Sequence, residues 1–163
     1  MYKPVHGGDI YSEQNKGSGK NLVDYSANVN PLGLPASVKD AIKNSIKNCV
    51  NYPDPLCREL TEKLARYLNV KKEQLFISNG AADVLFKIAL ALKPRRAVLL
   101  APTFADYEKA LRTVDCKFTY YDLQEENNFV AENDLLKKIN SRVDLAVICN
   151  PNNPTGKLMD KDL

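Results

Sequence analysis

Residues 97–121 read AVLLAPTFADYEKALRTVDCKFTYY, and the change of pattern within them decides the fold. Ala97 to Ala101 is an uninterrupted apolar run, short enough for a strand and closed by Pro102. Phe104 to Thr113 then mixes charge with apolar residues at helical spacing, and Lys117 to Tyr121 (KFTYY) returns to strand-forming residues. The alternation continues outward. On the N-terminal side, Gln74 to Ser78 (QLFIS) reads as a strand and Ala81 to Leu92 as a helix. On the C-terminal side, Glu132 to Ile139 reads as a helix and Leu145 to Cys149 (LAVIC) as a strand. Continuous apolar runs between helices are what strands buried on both faces of a parallel sheet look like. Right-handed crossovers then build an α/β domain of three layers, α/β/α, around a mainly parallel sheet.

Upstream of this core, residues 1–34 read as an irregular arm, broken by Gly7, Gly8, Gly17, Gly19 and Gly33 with Pro4 and Pro31. Val38, Ala41, Ile42, Ser45, Ile46 and Cys49 recur at helical spacing, with Ser37 as the expected N-cap. Tyr52-Pro53-Asp54-Pro55 ends that helix, and a second follows with Leu56, Leu60, Leu64 and Leu68 on one stripe. The expected organisation is an arm over 1–34 and, over 35–163, the first part of a larger α/β domain. Asp160 is placed to cap another helix, so a sheet that stops on a loop near Leu163 reads as unfinished.

The chain of 163 residues is 44% hydrophobic and 26% charged, which suits one soluble domain with its own core. Its 23 basic and 20 acidic residues are mixed, and no run of like charge points to nucleic acid or a membrane surface. No apolar stretch approaches the length of a membrane span. Cys49, Cys57, Cys116 and Cys149 are scattered, with only His6 as a histidine, so no metal site is expected and the thiols read as reduced in a cytoplasmic protein.

Three loops at strand ends carry the chemistry. Ser78-Asn79-Gly80-Ala81-Ala82-Asp83 opens a helix with small residues, where backbone N–H groups and the helix dipole suit a phosphate; a simple tight turn is the competing reading. Ala101-Pro102-Thr103-Phe104 lies at the edge of an open sheet where ligands bind, and Phe104 either offers a flat face to a ring or covers the core. Cys149-Asn150-Pro151-Asn152-Asn153-Pro154-Thr155-Gly156 braces Asn153 between prolines, with an amide able to donate to a phenolate-type oxygen. The three loops converge on one crevice.

In the order and spacing of these motifs, ending on Asn153-Pro154-Thr155-Gly156, the chain resembles the fold-type I pyridoxal 5′-phosphate enzymes of the class I/II aminotransferase branch. That resemblance implies that the backbone of Gly80, Ala81 and Ala82 holds the cofactor phosphate. It implies that Phe104 stacks on the pyridine ring and that Asn153 hydrogen-bonds the ring's phenolic oxygen. Tyr52 would reach the cofactor phosphate of the neighbouring subunit in a homodimer. Within the branch, His6-Gly7-Gly8 and the run from Asp24 to Pro35 (DYSANVNPLGLP) look like threonine-phosphate decarboxylases of cobalamin synthesis. Histidinol-phosphate aminotransferases are the nearest alternative. On this resemblance His6 and Asn28 would bind the phosphate of a phosphorylated amino acid or amine. The family's Schiff-base lysine, its aspartate beside the pyridine nitrogen and its substrate-carboxylate arginine would all come after Leu163, so no catalytic residue is expected here. A non-catalytic fragment is the alternative of a different class. Lys87 and Lys93 read as solvated surface charges.

Overall fold

Arg96–Ala101 forms β1, the strand that organises everything after residue 78 in this computed structural model. The structure describes residues 7–14 and 23–163, and these fall into two compact units, Gly7–Ile77 and Ser78–Leu163. In the second unit, β2 (Lys117–Asp122) and β3 (Leu145–Val147) pair with β1 in parallel, one on each side, in the order β2-β1-β3. Leu99 stands opposite Tyr120 on one side and Val147 on the other. Every β1 residue after Arg96 is buried, as a strand covered on both faces must be.

Successive side chains of β1 feed two cores, because a strand's side chains alternate between faces. Val98 and Leu100 pack with Tyr121, Leu123, Ala131 and Leu135. Ala97 and Leu99 pack with Leu111 and Cys116, with Tyr107, Phe118 and Tyr120 around them. The first cluster is covered by α6 (Leu135–Lys138) and the loop before it, the second by α5 (Ala105–Arg112). Helices on opposite faces follow from the strand order: one right-handed crossover steps from β1 to its neighbour, the next returns across β1. α5 carries Asp106 and Glu108 in its first turn and Lys109 and Arg112 in its last, matching the helix dipole. Asp144 pins the N-terminal edge: its carboxylate accepts the N–H of Arg95 at 2.8 Å and of Arg96 at 2.9 Å. These backbone bonds hold the Asp144 carboxyl below its ordinary pKa.

The preceding helix, α4 (Gly80–Leu92), packs on α5 and joins β1 through Lys93–Arg95. Gly7–Ile77 holds α1 (Ile10–Gln14), α2 (Ala36–Ser45) and α3 (Arg58–Leu68), with short 3-10 turns at Ile46–Val50 and Lys72–Gln74. Only Ala65 of these three helices is buried among the described residues. No helix among the described residues is long and apolar enough to cross a membrane.

The parallel α/β core is as the sequence reading expects, but several elements differ. Residues 74–78 form no strand: the chain makes a 3-10 turn at Lys72–Gln74, and Phe76 is 63% exposed. An extended segment becomes a strand only beside a partner, and no strand of the described residues pairs with it. Ser37 is not a cap; Pro35, with φ of −56°, sits at the start of α2, and Val38 and Lys39 donate to its carbonyl. α3 begins at Arg58 rather than Leu56, because the Asp54 carboxylate accepts the N–H of both Leu56 and Arg58. The arm is not wholly irregular, since Asp9 accepts the Ser12 N–H and anchors α1. The helix expected over 132–139 is a single turn, the strand over 145–149 stops at Val147, and Asp160 caps a turn through the Asp162 N–H, not a helix.

Leu99 has no exposed surface, while Leu136 on the outer side of α6 is 53% exposed. Leu99→Ala should cost about 2–5 kcal/mol, measured by urea unfolding, and Leu136→Ala no more than about 0.5 kcal/mol. Equal losses at the two positions would contradict the placement of β1 at the centre.

Candidate functional site

A strand of six residues and a helix of thirteen are both about 20 Å long, at their usual rises per residue. Only three residues separate α4 from β1, so a helix running back along the strand would bring its N-terminus level with the edge where β1 ends. The loops after β1 and β3 leave from that same edge, since parallel strands end together. The structure thus places Gly80, Ala81, Ala82, Phe104 and Asn153 within one unit, with Phe104 and Asn153 on the loops that leave this edge.

At the first loop, Gly80 takes φ of +83°, a conformation that suits glycine, and a Cβ built there meets nothing within 4 Å. Its N–H is used internally, donated to the Ser78 carbonyl at 3.0 Å. Ala81 and Ala82 follow in the first helical turn, where N–H groups have no partner within the helix. These two donors, with the positive end of α4 behind them, fit a phosphate. The loop has a fastening that sequence reasoning missed. Oδ2 of Asp83 accepts the Ser78 hydroxyl, the Asn79 N–H at 3.1 Å and the Lys87 ammonium at 2.8 Å. Lys87 also donates to Ser78 Oγ at 2.9 Å, so it is part of the loop and not a merely solvated charge. Its charge balances a carboxylate that would otherwise oppose an anion. The i, i+4 spacing of Asp83 and Lys87 was the available signal.

At the second loop, Phe104 is half-buried in the N-cap position of α5 and meets Tyr107 edge-on, 5.6 Å between ring centres. At the third, Asn153 is half-buried; its N–H points to Cys149 Sγ at 3.4 Å. Its side-chain amide has no hydrogen-bond partner among the described residues, so a donor remains for a ligand oxygen. Cys149 also meets the Tyr107 hydroxyl, and burial first, then this contact, hold the Tyr107 phenol above its ordinary pKa.

The second and third loops are joined through Thr103 and Asn152, both at least 95% buried. The Thr103 hydroxyl donates to Asn152 Oδ1 at 3.0 Å. Asn152 Nδ2 donates to the Pro102 carbonyl and to Thr155 Oγ1, each at 3.0 Å. Nothing in the sequence separates Asn152 from its neighbour Asn153, so this pair was not legible there.

Tyr52 and Asn28 belong to Gly7–Ile77, where both are exposed, Tyr52 completely. His6 lies outside the described residues. Among the described residues no group of three His, Cys, Asp or Glu could hold a metal.

Comparison with known proteins places these features in context. The sequence model of the family described as aminotransferase class I and II matches residues 20–163. Threonine-phosphate decarboxylase of Salmonella typhimurium is 34% identical over 100% of this chain and 45% of its own length. Histidinol-phosphate aminotransferase of Caldicellulosiruptor saccharolyticus is 34% identical over 88% of this chain and 40% of its own. Among solved structures, the histidinol-phosphate aminotransferase from Clostridium acetobutylicum aligns with a TM-score of 0.75 and 34% identity, over 86% of this chain and 41% of that one. The chain therefore spans less than half the length of these relatives.

Hydrogen bonds from Lys87, Ser78 and Asn79, in that order, lower the Asp83 pKa from 3.8 to about 2. A carboxylate with a depressed folded-state pKa stabilises the fold above its unfolded value, and that contribution is lost as pH falls through the folded one. Between about pH 4 and pH 2, wild type should therefore lose urea resistance more steeply than Asp83→Asn. Parallel acid profiles of the two proteins would show that Asp83 does not hold this loop.

Proposed function

The chain belongs to the class I and II aminotransferase family, and on that premise we propose that it forms the cofactor-phosphate and ring-binding part of an enzyme acting on a phosphorylated amino acid or amine. Enzymes of this family depend on pyridoxal 5′-phosphate. Once bound, that cofactor supplies an electron sink for bond breaking at the substrate's Cα.

The residues of this chain have separable tasks in that reading. Ala81 and Ala82 donate backbone N–H groups to the cofactor phosphate, with Gly80 shaping the turn that aims them. Lys87 keeps the Asp83 carboxylate from repelling it. Phe104 covers one face of the ring and holds its plane. Asn153 donates its amide to the ring's phenolic oxygen and favours the ionised form. The complete exposure of Tyr52 suits a ring offered to a neighbouring subunit of a homodimer. His6 and Asn28 are assigned to the substrate's own phosphate.

Decarboxylation of threonine phosphate is the preferred reaction, and one observation carries it. The similarity to the Salmonella decarboxylase runs through the whole chain, including the N-terminal arm with His6-Gly7-Gly8, whereas that to the Caldicellulosiruptor aminotransferase covers 88%. The structural likeness to a histidinol-phosphate aminotransferase, with its TM-score of 0.75, favours the second reading, transamination of histidinol phosphate. We weight the arm more heavily, because backbone similarity reports the shared fold while the arm carries the residues assigned to the substrate.

Purified full-length protein supplied with pyridoxal phosphate should release carbon dioxide from threonine phosphate and transfer little nitrogen from histidinol phosphate to 2-oxoglutarate. The opposite pair of activities moves the assignment to the aminotransferase. Asn153→Ala should raise by about one unit the pH midpoint of the bound cofactor's absorption change, equivalent to about 1.4 kcal/mol. Phe104→Leu should weaken cofactor binding with apo stability largely kept. If both variants titrate like wild type and lose only thermal stability, these residues serve the fold and not the cofactor.

A further inference from the structure

Phe104 and Asn153 sit on loops from two different strands, yet a flat ring held by both requires their relative position to be fixed. Neither side chain fixes the other. Each, however, directly follows a residue of the buried pair: Thr103 precedes Phe104, and Asn152 precedes Asn153, about 3.8 Å away along the backbone. The pair is 49 residues apart in sequence and joined side chain to side chain. The Asn152 amide is fully used: its oxygen accepts from Thr103, and its two N–H groups reach the Pro102 carbonyl and Thr155 Oγ1. Thr155 Oγ1 in turn accepts the Lys157 N–H at 3.4 Å, and the backbone of Asn152 pairs with Lys157 and Gly156. One side chain therefore ties its own loop into a closed turn and fastens it to the loop carrying Phe104.

We propose that Thr103 and Asn152 are positioning residues that set the geometry between the ring-stacking Phe104 and the oxygen-binding Asn153. The inference rests on the cofactor reading above and deepens it. Burial gives the pair its directionality. Thr103 and Asn152 are 4% and 5% exposed, so water cannot replace a lost partner and the amide has one satisfied orientation. Thr103→Val keeps the shape but deletes the donor to Oδ1, and the Asn152 amide is then free to rotate away from Pro102. Asn152→Asp keeps the size but places an acceptor against the Pro102 carbonyl, which has no proton to give.

The test uses the full-length protein with pyridoxal phosphate as the probe, reading affinity by fluorescence and the absorption spectrum of the bound cofactor. Thr103→Val and Asn152→Asp should weaken binding about tenfold or more and shift the bound spectrum. Thr103→Ser, which keeps the hydroxyl, should restore both. Leu135→Ala, a core variant that belongs to neither loop, calibrates the effect of lost stability alone and should leave affinity and spectrum unchanged. The inference is overturned if the valine and serine variants behave alike, or if Thr103→Val changes binding no more than Leu135→Ala. A wild-type protein that binds no pyridoxal phosphate overturns the cofactor reading and this inference together; binding by wild type with indifferent Thr103 variants overturns the inference alone.

Discussion

Two neighbours hydrogen-bonded in parallel to one strand leave no place for hairpin turns, and this constraint at β1 governs the rest of residues 78–163. Each connection must carry the chain back to the starting edge before the next strand begins. The return segments become α5 and α6 on opposite faces, and every strand delivers its outgoing loop to the same side of the sheet. Loops distant in sequence are neighbours there as a matter of topology. Their side chains are free of the ladder's demands, because the hydrogen bonding that holds the fold is completed behind them.

How much of this was legible depended on whether the determining interaction was local. AVLLA announced β1 because five consecutive positions answer to burial on both faces, and the run needs no partner to be recognised. QLFIS has the same local character and forms no strand, since pairing depends on which backbone lies alongside. A pattern of single residues contains no such information. The site divides in the same way. Phe104 and Asn153 stood out by residue type next to a strand end, and Gly80 by its place at the start of a helix. Thr103 and Asn152 did not, for their importance comes from a contact across 49 residues. Lys87 is exposed, as a surface charge should be, but it also reaches Asp83 and Ser78, and the second contact is one that its place on a helix does not announce.

Gly7–Ile77 is held by other means. Its order comes from short-range polar contacts: Asp54 over the start of α3, Asp24 with Ser26, Asn30 with Leu32 and Gly33, and Gln74 with Lys71. Asn69, in the left-handed region at φ of +53°, closes α3 by returning its N–H to the helix. Such contacts define local shape without burying a core. Val38, Ile42 and Ile46 along α2 and its 3-10 extension, and Leu60 and Leu68 on α3, remain exposed. Amphipathic periodicity therefore identified the helices correctly while saying nothing about what their apolar faces meet.

The span between Thr103 and Asn152 also orders assembly in time. β1 and β2 are joined by one crossover, so Arg96 finds Lys117 after closing a short loop. β3 must close a longer one, with Asp144 and Arg96 separated by 48 residues. Closure entropy rises with loop length, and non-local contacts form late for that reason. Asn152 lies beyond β3 and reaches Thr103 only when that strand has docked. The hydrogen bond between Thr103 and Asn152 is therefore among the last contacts of this unit to form.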